Sequence, residues 1–87
     1  MKLKKAFITH QTDRESLLVP TGDAGFAGLV KGNHTLGVIL ELLKQETDEA
    51  QIVAAMQARF DASEEVITRD VRRAITALRE IGAIEEG

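Results

Sequence analysis

The sequence predicts an α+β fold, namely a small winged-helix-like domain in which a three-stranded antiparallel β arm is followed by three helices. Three observations lead to this prediction. Residues 6–31 contain three short β-rich runs, residues 34–81 contain three segments with apolar residues at helical spacing, and the last helical segment is the longest. With 87 residues, the chain is expected to form a single domain spanning residues 1–87.

The three β-rich runs are residues 6–11, 15–20 and 26–31. A polar tripeptide, Thr12 to Arg14, separates the first two runs and predicts a β-hairpin. Pro20 has no N–H for a sheet ladder, so it is expected to end the second strand or lie on an edge. The third run contains Gly28 and is expected to stop at Gly32. As the last strand of the sheet, it is predicted to be an edge with unpaired N–H and C=O groups.

The three helical segments are residues 34–43, 47–60 and 63–81. Asn33 just before the first segment, and Thr47 and Ser63 at the start of the second and third, are predicted to cap the N termini of these helices. The first segment is apolar nearly all round, which is typical of a helix at the centre of a core. The third has one apolar face, made of Ile67, Val71, Ala74, Ile75, Leu78 and Ile81. Gly82 follows it and is expected to adopt positive φ, whereas residues 85–87 are expected to fray.

The composition argues against several classes of protein. The chain has no cysteine, which excludes disulfides and thiolate metal sites and is compatible with a reducing cytosol, so a cytoplasmic protein is expected. No apolar run reaches the length of a signal peptide or a membrane span, so neither secretion nor membrane insertion is expected. His10 and His34 lie in different predicted elements without the spacing of a metal site. No metal or other cofactor is expected.

Catalytic motifs are also missing from the sequence. Ser16 is predicted to lie in a strand and Ser63 at a helix cap, and neither lies in a nucleophile elbow. The glycines are not followed by the Gly-Lys-Ser/Thr of a phosphate-binding loop. The chain is therefore expected not to be an enzyme but to act through a binding surface.

A cluster of arginines on the predicted third helix, Arg69, Arg72 and Arg73, allows two interpretations. It either faces an anionic ligand or forms intrahelical ion pairs with Glu65 and Asp70 on a solvated face. The net charge is −3: residues 1–43 carry +1 and residues 44–87 carry −4. Since nucleic-acid affinity comes largely from phosphate neutralisation, an acidic helical half disfavours nucleic acid as a partner. A winged-helix DNA-binding regulator that reads DNA with the third helix remains the alternative.

Several segments, in this order and spacing, resemble one family. They are MKLKKAF at residues 1–7, LLVP at 17–20, Asn33-x-Thr35 with ILELL at 39–43, TDEAQIV at 47–53, FDASEE at 60–65 and DVxxAIxxLxxIGAI at 70–84. Together they are similar to the PqqD family, the peptide chaperones of pyrroloquinoline quinone biosynthesis and related pathways, whose fold is also called the RiPP recognition element. The chain departs from the usual pattern at Leu36 and Leu40, where relatives have a glycine and a large aromatic residue, and at Gly32, where they have leucine.

The resemblance implies a groove between the third strand and the third helix. In the family this groove takes the leader of a ribosomally made precursor peptide as an added strand and presents it to a radical SAM enzyme. Carried onto this chain, the implied peptide-binding residues are Ala27, Gly28, Leu29, Val30 and Lys31 on the strand, with Arg69, Arg72, Arg73 and Thr76 on the helix. An edge strand that pairs with a second copy, giving a homodimer, is a further possibility.

Overall fold

The computed structural model describes residues 1–13, 15–21 and 30–86. Along the chain the elements are β1 (Lys2–Leu3), β2 (Phe7–Gln11), β3 (Ser16–Pro20), β4 (Val30–Gly32), α1 (His34–Leu42), α2 (Glu49–Arg59), α3 (Glu64–Glu80) and β5 (Ile84–Glu85). The described strands form a three-stranded sheet, β2-β3-β4, and a two-stranded sheet, β1-β5. The predicted α+β fold, a three-stranded antiparallel sheet followed by three helices, is confirmed.

The predicted hairpin is the pair of β2 and β3. Their antiparallel register runs from Phe7↔Pro20 to Gln11↔Ser16, and the N–H of Thr12 donates to the carbonyl of Glu15 at 2.9 Å across the turn. Pro20 is the last residue of β3, as its missing N–H predicted.

The third strand of this sheet, β4, lies at an edge, as predicted. Among the described residues it pairs only with β3, from Ser16↔Gly32 to Leu18↔Val30. It includes Gly32, one residue beyond the predicted end. The first part of the predicted strand, residues 26–29, and the predicted turn at residues 22–25 lie outside the described residues.

Two of the three predicted helix caps are confirmed. The side chain of Asn33 accepts from the N–H of Leu36 at 3.1 Å, and that of Ser63 accepts from the N–H of Val66 at 3.3 Å. Past the end of α3, Gly82 has φ of 75°, as predicted.

The predicted cap of α2 at Thr47 is wrong, because Asp48 occupies that position. Its carboxylate accepts from the N–H of Gln51 at 2.8 Å, from a fully extended backbone. Thr47 is instead held by the start of the chain, since its N–H donates to the carbonyl of Met1 at 2.9 Å.

The aliphatic core lies between the three-stranded sheet and the helices. Its largest fully buried side chains are Leu18, Ile39, Leu40, Leu43, Ile52, Met56, Val71, Ile75 and Leu78. Helix α1 supplies Val38, Ile39 and Leu40 to this cluster, in agreement with its predicted central place.

Helix α1 approaches the sheet closely at Gly37. The side-chain amide of Gln11 donates to the carbonyl of Gly37 at 3.1 Å. A Cβ at this position would collide with the hydroxyl of Ser16 and would lie 3.3 Å from the amide nitrogen of Gln11. The absence of a side chain therefore sets the separation between α1 and β3.

The small β1-β5 sheet was not predicted, because two-residue strands leave no periodic pattern in a sequence. Its register is Lys2↔Glu85 and Leu3↔Ile84. The N–H of Leu3 donates to Leu43 and that of Lys4 donates to Ala83, both at 2.9 Å. The expectation that Glu85 frays is wrong, since this residue belongs to β5.

Candidate functional site

An open cleft of about 530 Å³ lies between the edge strand β4, the start of α1 and one flank of α3. Its lining residues are Val30, Lys31, Asn33, Thr35, Leu36, Ile39, Asp70, Arg73, Ala74, Ala77, Leu78, Glu80 and Ile81. The strand, the helix wall and the floor thus come from three separate segments of the chain, which only the fold brings together.

The register of the sheet determines which backbone groups β4 presents to the cleft. In an antiparallel ladder, consecutive residues direct their N–H and C=O groups alternately toward one neighbour and the other. The bond between Thr12 and Glu15 shows that Glu15 faces β2, so Leu17 does too. Ser16 and Leu18 consequently face β4, where they pair with Gly32 and Val30.

Lys31, which lies opposite Leu17, therefore directs its N–H and C=O away from the sheet. No described strand pairs with this donor and acceptor on the outer edge of β4, and Lys31 itself lines the cleft. The edge can accept one further strand at this residue.

The floor and walls of the cleft are apolar. Ile39 and Leu78, exposed by 1% and 2%, are the most buried of its lining residues. Val30, Leu36 and Ile81 are partly buried against the core and line the same space. An occupant would therefore bury apolar surface on the side of the cleft opposite the open backbone.

The rim of the cleft carries balanced charge. Lys31 and Arg73 are positive, Asp70 and Glu80 are negative, and all four side chains are exposed. On α3 the order along the helix is acid, base, acid, with Ala77 between Arg73 and Glu80. The rim can thus favour a ligand whose charges are placed opposite these four side chains, but it does not attract anionic or cationic ligands in general.

The structure brings only some of the predicted peptide-binding residues to this cleft. Val30, Lys31 and Arg73 line it. Ala27, Gly28 and Leu29 lie outside the described residues, and their role stays a prediction.

The remaining predicted residues lie on the other flank of α3. Arg69 and Arg72 border a depression with Glu64, Glu65 and Thr68, and Thr76 borders a shallow one beside Arg72 and Arg73. Arg72 forms an ion pair with α2, since its Nε donates to a carboxylate oxygen of Glu49 at 3.1 Å. These three residues do not line the cleft in this structure.

Sequence reasoning did not name the other lining residues as ligand contacts, namely Asn33, Thr35, Leu36, Ile39, Asp70, Ala74, Ala77, Leu78, Glu80 and Ile81. For α3 a signal was present. At about 100° per residue, Ala74 and Ile81 extend the apolar face toward the flank that carries Asp70 and Ala77, whereas Arg72 and Thr76 lie on the opposite flank. The widening of the apolar face to one side indicates the flank that borders the cleft.

The described part of the chain contains no group of three His, Cys, Asp or Glu side chains that could hold a metal ion. His34 instead contacts Phe60, with the ring centroids 6.0 Å apart and the rings at 62°. Within the same described residues, no helix is long and apolar enough to cross a membrane.

Two solved structures are similar to the whole fold. One is TbiB1 in complex with the TbiA(beta) leader peptide, at 22% identity and a TM-score of 0.82, with 100% of this chain and 98% of that chain covered. The other is lasso peptide synthetase B1 complexed with the leader peptide, at 21% identity and a TM-score of 0.75, with 98% and 96% covered. These similarities show a shared fold.

Comparison with curated proteins found no match. The family described as coenzyme PQQ synthesis protein D matches residues 27–84, a stretch that includes β4, the three helices and the first residue of β5. Because this match covers more than half of the chain, it establishes the family: the chain belongs to the PqqD family.

Proposed function

We propose that this protein is a non-catalytic adaptor that binds the leader segment of a ribosomally made precursor peptide by strand addition to β4. The observation that carries the proposal is the cleft in which the outward backbone groups of Lys31, unpaired among the described residues, border the apolar flank of α3. Membership of the PqqD family supports it. The similarity in fold to two proteins solved with leader peptides agrees with it.

Backbone pairing alone would be too weak to hold such a peptide. The two hydrogen bonds available at Lys31 would contribute about 1 kcal/mol each, whereas association costs on the order of 4–15 kcal/mol. Each ~100 Å² of apolar surface buried against Val30, Leu36 and Ile81 would contribute about 2.5 kcal/mol. Apolar side chains of the leader therefore supply most of the affinity.

The charges on the rim would set the register and direction of the bound peptide. An acidic residue of the leader is favoured beside Lys31 and Arg73 and disfavoured beside Asp70 and Glu80. Ala27, Gly28 and Leu29 would continue the pairing edge. Arg69, Arg72 and Thr76 would contact only a ligand that extends beyond the cleft over the outer side of α3.

The partner implied by this role is the enzyme that modifies the presented peptide, for which we propose a radical SAM maturase. The complex would form in the cytoplasm, without nucleic acid. Self-pairing of β4 in a homodimer would use the edge that the leader requires, so added leader would dissociate such a dimer.

The winged-helix DNA-binding alternative is less well supported. Of the three clustered arginines on α3, Arg69, Arg72 and Arg73, Arg72 is bound to Glu49, and Arg69 shares its depression with Glu64 and Glu65. With a net charge of −3, the chain would approach phosphates against an unfavourable field.

The test is a titration of the isotopically labelled protein with the leader of a precursor encoded beside its gene. The amides of Val30 and Lys31 should shift on binding. The Ala77→Phe variant should fill the cleft and weaken binding by about tenfold or more, a loss of about 1.4 kcal/mol. Thr76→Phe is the matched control: Thr76 is also exposed on α3 but lies outside the cleft, so its affinity should stay within about twofold.

Two results would contradict the proposal. If the leader binds but the NMR signals of the Val30 and Lys31 amides do not shift, the peptide does not add as a strand to β4. If Ala77→Phe and Thr76→Phe lose the same amount of affinity, the leader binds on the outer side of α3 and not in the cleft.

A further inference from the structure

The three-stranded sheet has a second edge, β2, that the proposed function does not use. Its residue Ile8 is 54% exposed although it is a large apolar side chain. Ile8 lies opposite Val19 in the register, and Val19 and Leu17 are only partly buried. A sheet packed on one side normally presents polar residues to water on the other, so this apolar strip is unusual.

A depression of about 400 Å³ borders the same edge and is rich in lysine. Its lining residues are Leu3, Lys4, Lys5, Phe7, Ile8, Thr9 and Lys44. Lys44 is bonded to Glu41 at 2.9 Å, whereas Lys4 and Lys5 are exposed and make no ion pair with any described residue. In a chain of net charge −3, this cluster is a local site of positive potential.

Backbone groups are also available along this edge. The N–H of Phe7 donates to Lys4, away from β3, while the bond between Thr12 and Glu15 shows that Thr12 faces β3. By the alternation of an antiparallel ladder, the N–H and C=O groups of Thr9 and Gln11 point outward from β2.

We propose that the β2 edge is a docking surface for an extended acidic segment of a partner protein, separate from the cleft beside β4. Successive side chains of an added strand alternate between two faces. Apolar side chains of one row would cover Ile8, and carboxylates of the other row would lie in the depression beside Lys4 and Lys5. The observations that carry the proposal are the exposed apolar residue, the two lysines that form no ion pair with any described residue, and the outward-facing backbone, all on one edge.

A protein segment fits this surface better than an anionic membrane. Polybasic membrane-binding sequences contain about four to eight clustered basic residues. This depression has three lysines, one of them paired with Glu41, and the chain has no Trp or Tyr to insert at a lipid interface.

The proposal can be tested by NMR titration of the full chain with a short peptide of alternating valine and glutamate, at low salt. We expect saturable shifts of the Thr9 and Gln11 amides that weaken steeply as salt is added. The matched probe, with lysine in place of glutamate, should not bind.

Variants then separate the contributions of charge and apolar contact. Reversing both lysines, Lys4→Glu with Lys5→Glu, should weaken binding by about tenfold or more, because two attractions become repulsions. Ile8→Thr should weaken it by roughly threefold to tenfold through lost apolar contact. Arg59→Glu, the reversal of a single charge at an exposed residue outside the depression, should leave the affinity within about twofold.

Several outcomes would overturn the proposal. Absence of saturable shifts up to millimolar peptide would do so, as would equal binding of the lysine-containing probe. Shifts confined to Val30 and Lys31 would mean that the acidic peptide uses the cleft instead. Binding to phosphatidylglycerol vesicles without binding to the peptide would reassign the surface to lipid. None of these results depends on whether a leader binds beside β4.

Discussion

At the scale of single residues, Gly37 sets the distance between α1 and the sheet. Alanine in place of glycine within a helix normally stabilises by about 1 kcal/mol. Here the new methyl group would collide with the hydroxyl of buried Ser16. We therefore expect Gly37→Ala to lower the free energy of unfolding by about 1–3 kcal/mol, measured by urea denaturation.

The double variant Ser16→Ala with Gly37→Ala provides the control for this collision. Removing the hydroxyl leaves contacts of 3.3 Å with the Ser16 Cβ and with the Gln11 amide nitrogen, so part of the lost stability should return. If Gly37→Ala alone stabilised the protein, the close approach of α1 to β3 would be disproved.

Substitutions at Gly82 test the backbone conformation alone, because a Cβ there would meet no steric clash with any described residue. Its φ is 75°, and a Cβ built there meets no described atom within 4 Å. Gly82→Ala should cost about 1 kcal/mol because alanine disfavours this region, and Gly82→Asn should cost less. Thermal and urea unfolding of both variants would measure the difference, and equal stabilities of glycine and alanine would show that φ is not positive.

At the scale of elements, the start of α2 gives a comparison between two adjacent candidates for one cap. Asp48→Ala should lower the free energy of unfolding by about 1 kcal/mol, since it removes the acceptor for the Gln51 N–H. Thr47→Ala should cost less than half as much, because its only hydroxyl partner among the described residues is the exposed side chain of Gln51. If chemical denaturation shows a larger loss of stability for Thr47→Ala than for Asp48→Ala, Thr47 is the N-cap of α2, as the sequence predicted.

The regular elements were largely predictable because each carries a local signal. The hairpin has a polar turn between β-forming runs, and α3 has a serine cap and a long apolar face. By contrast, β1 and β5 are two residues each and exist only because the two ends of the chain meet. Such strands depend on tertiary contacts, which no local pattern records.

The candidate site was predicted in outline and only partly in detail. Lys31 and Arg73 line the cleft, but the arginine cluster as a whole was an unreliable guide to the flank of α3 that faces β4. A cluster of charged residues is easily recognised in a sequence as a candidate binding site. The wall of this cleft, however, includes Ala74 and Ala77, and alanine side chains do not by themselves indicate a binding site. The orientation of a helix about its axis follows from its packing against the rest of the domain.

At the scale of the whole molecule, the distribution of charge gives a further prediction. The rim of the cleft has two positive and two negative side chains, so little net charge is neutralised when a leader binds. The dissociation constant for the leader should therefore change by no more than about threefold between low and high salt, measured by calorimetry. A steep loss of affinity with salt would indicate that phosphate-like or strongly acidic ligands are preferred.

The pairing of β1 with β5 has a consequence for the architecture of larger proteins. Because Lys2 and Glu85 are neighbours across that ladder, a linker of a few residues would close the backbone into a ring. New termini opened in the connection between α2 and α3 would give a circular permutant that retains every wall of the cleft. For the same reason, the domain can be inserted into a loop of a host protein without stretching that loop.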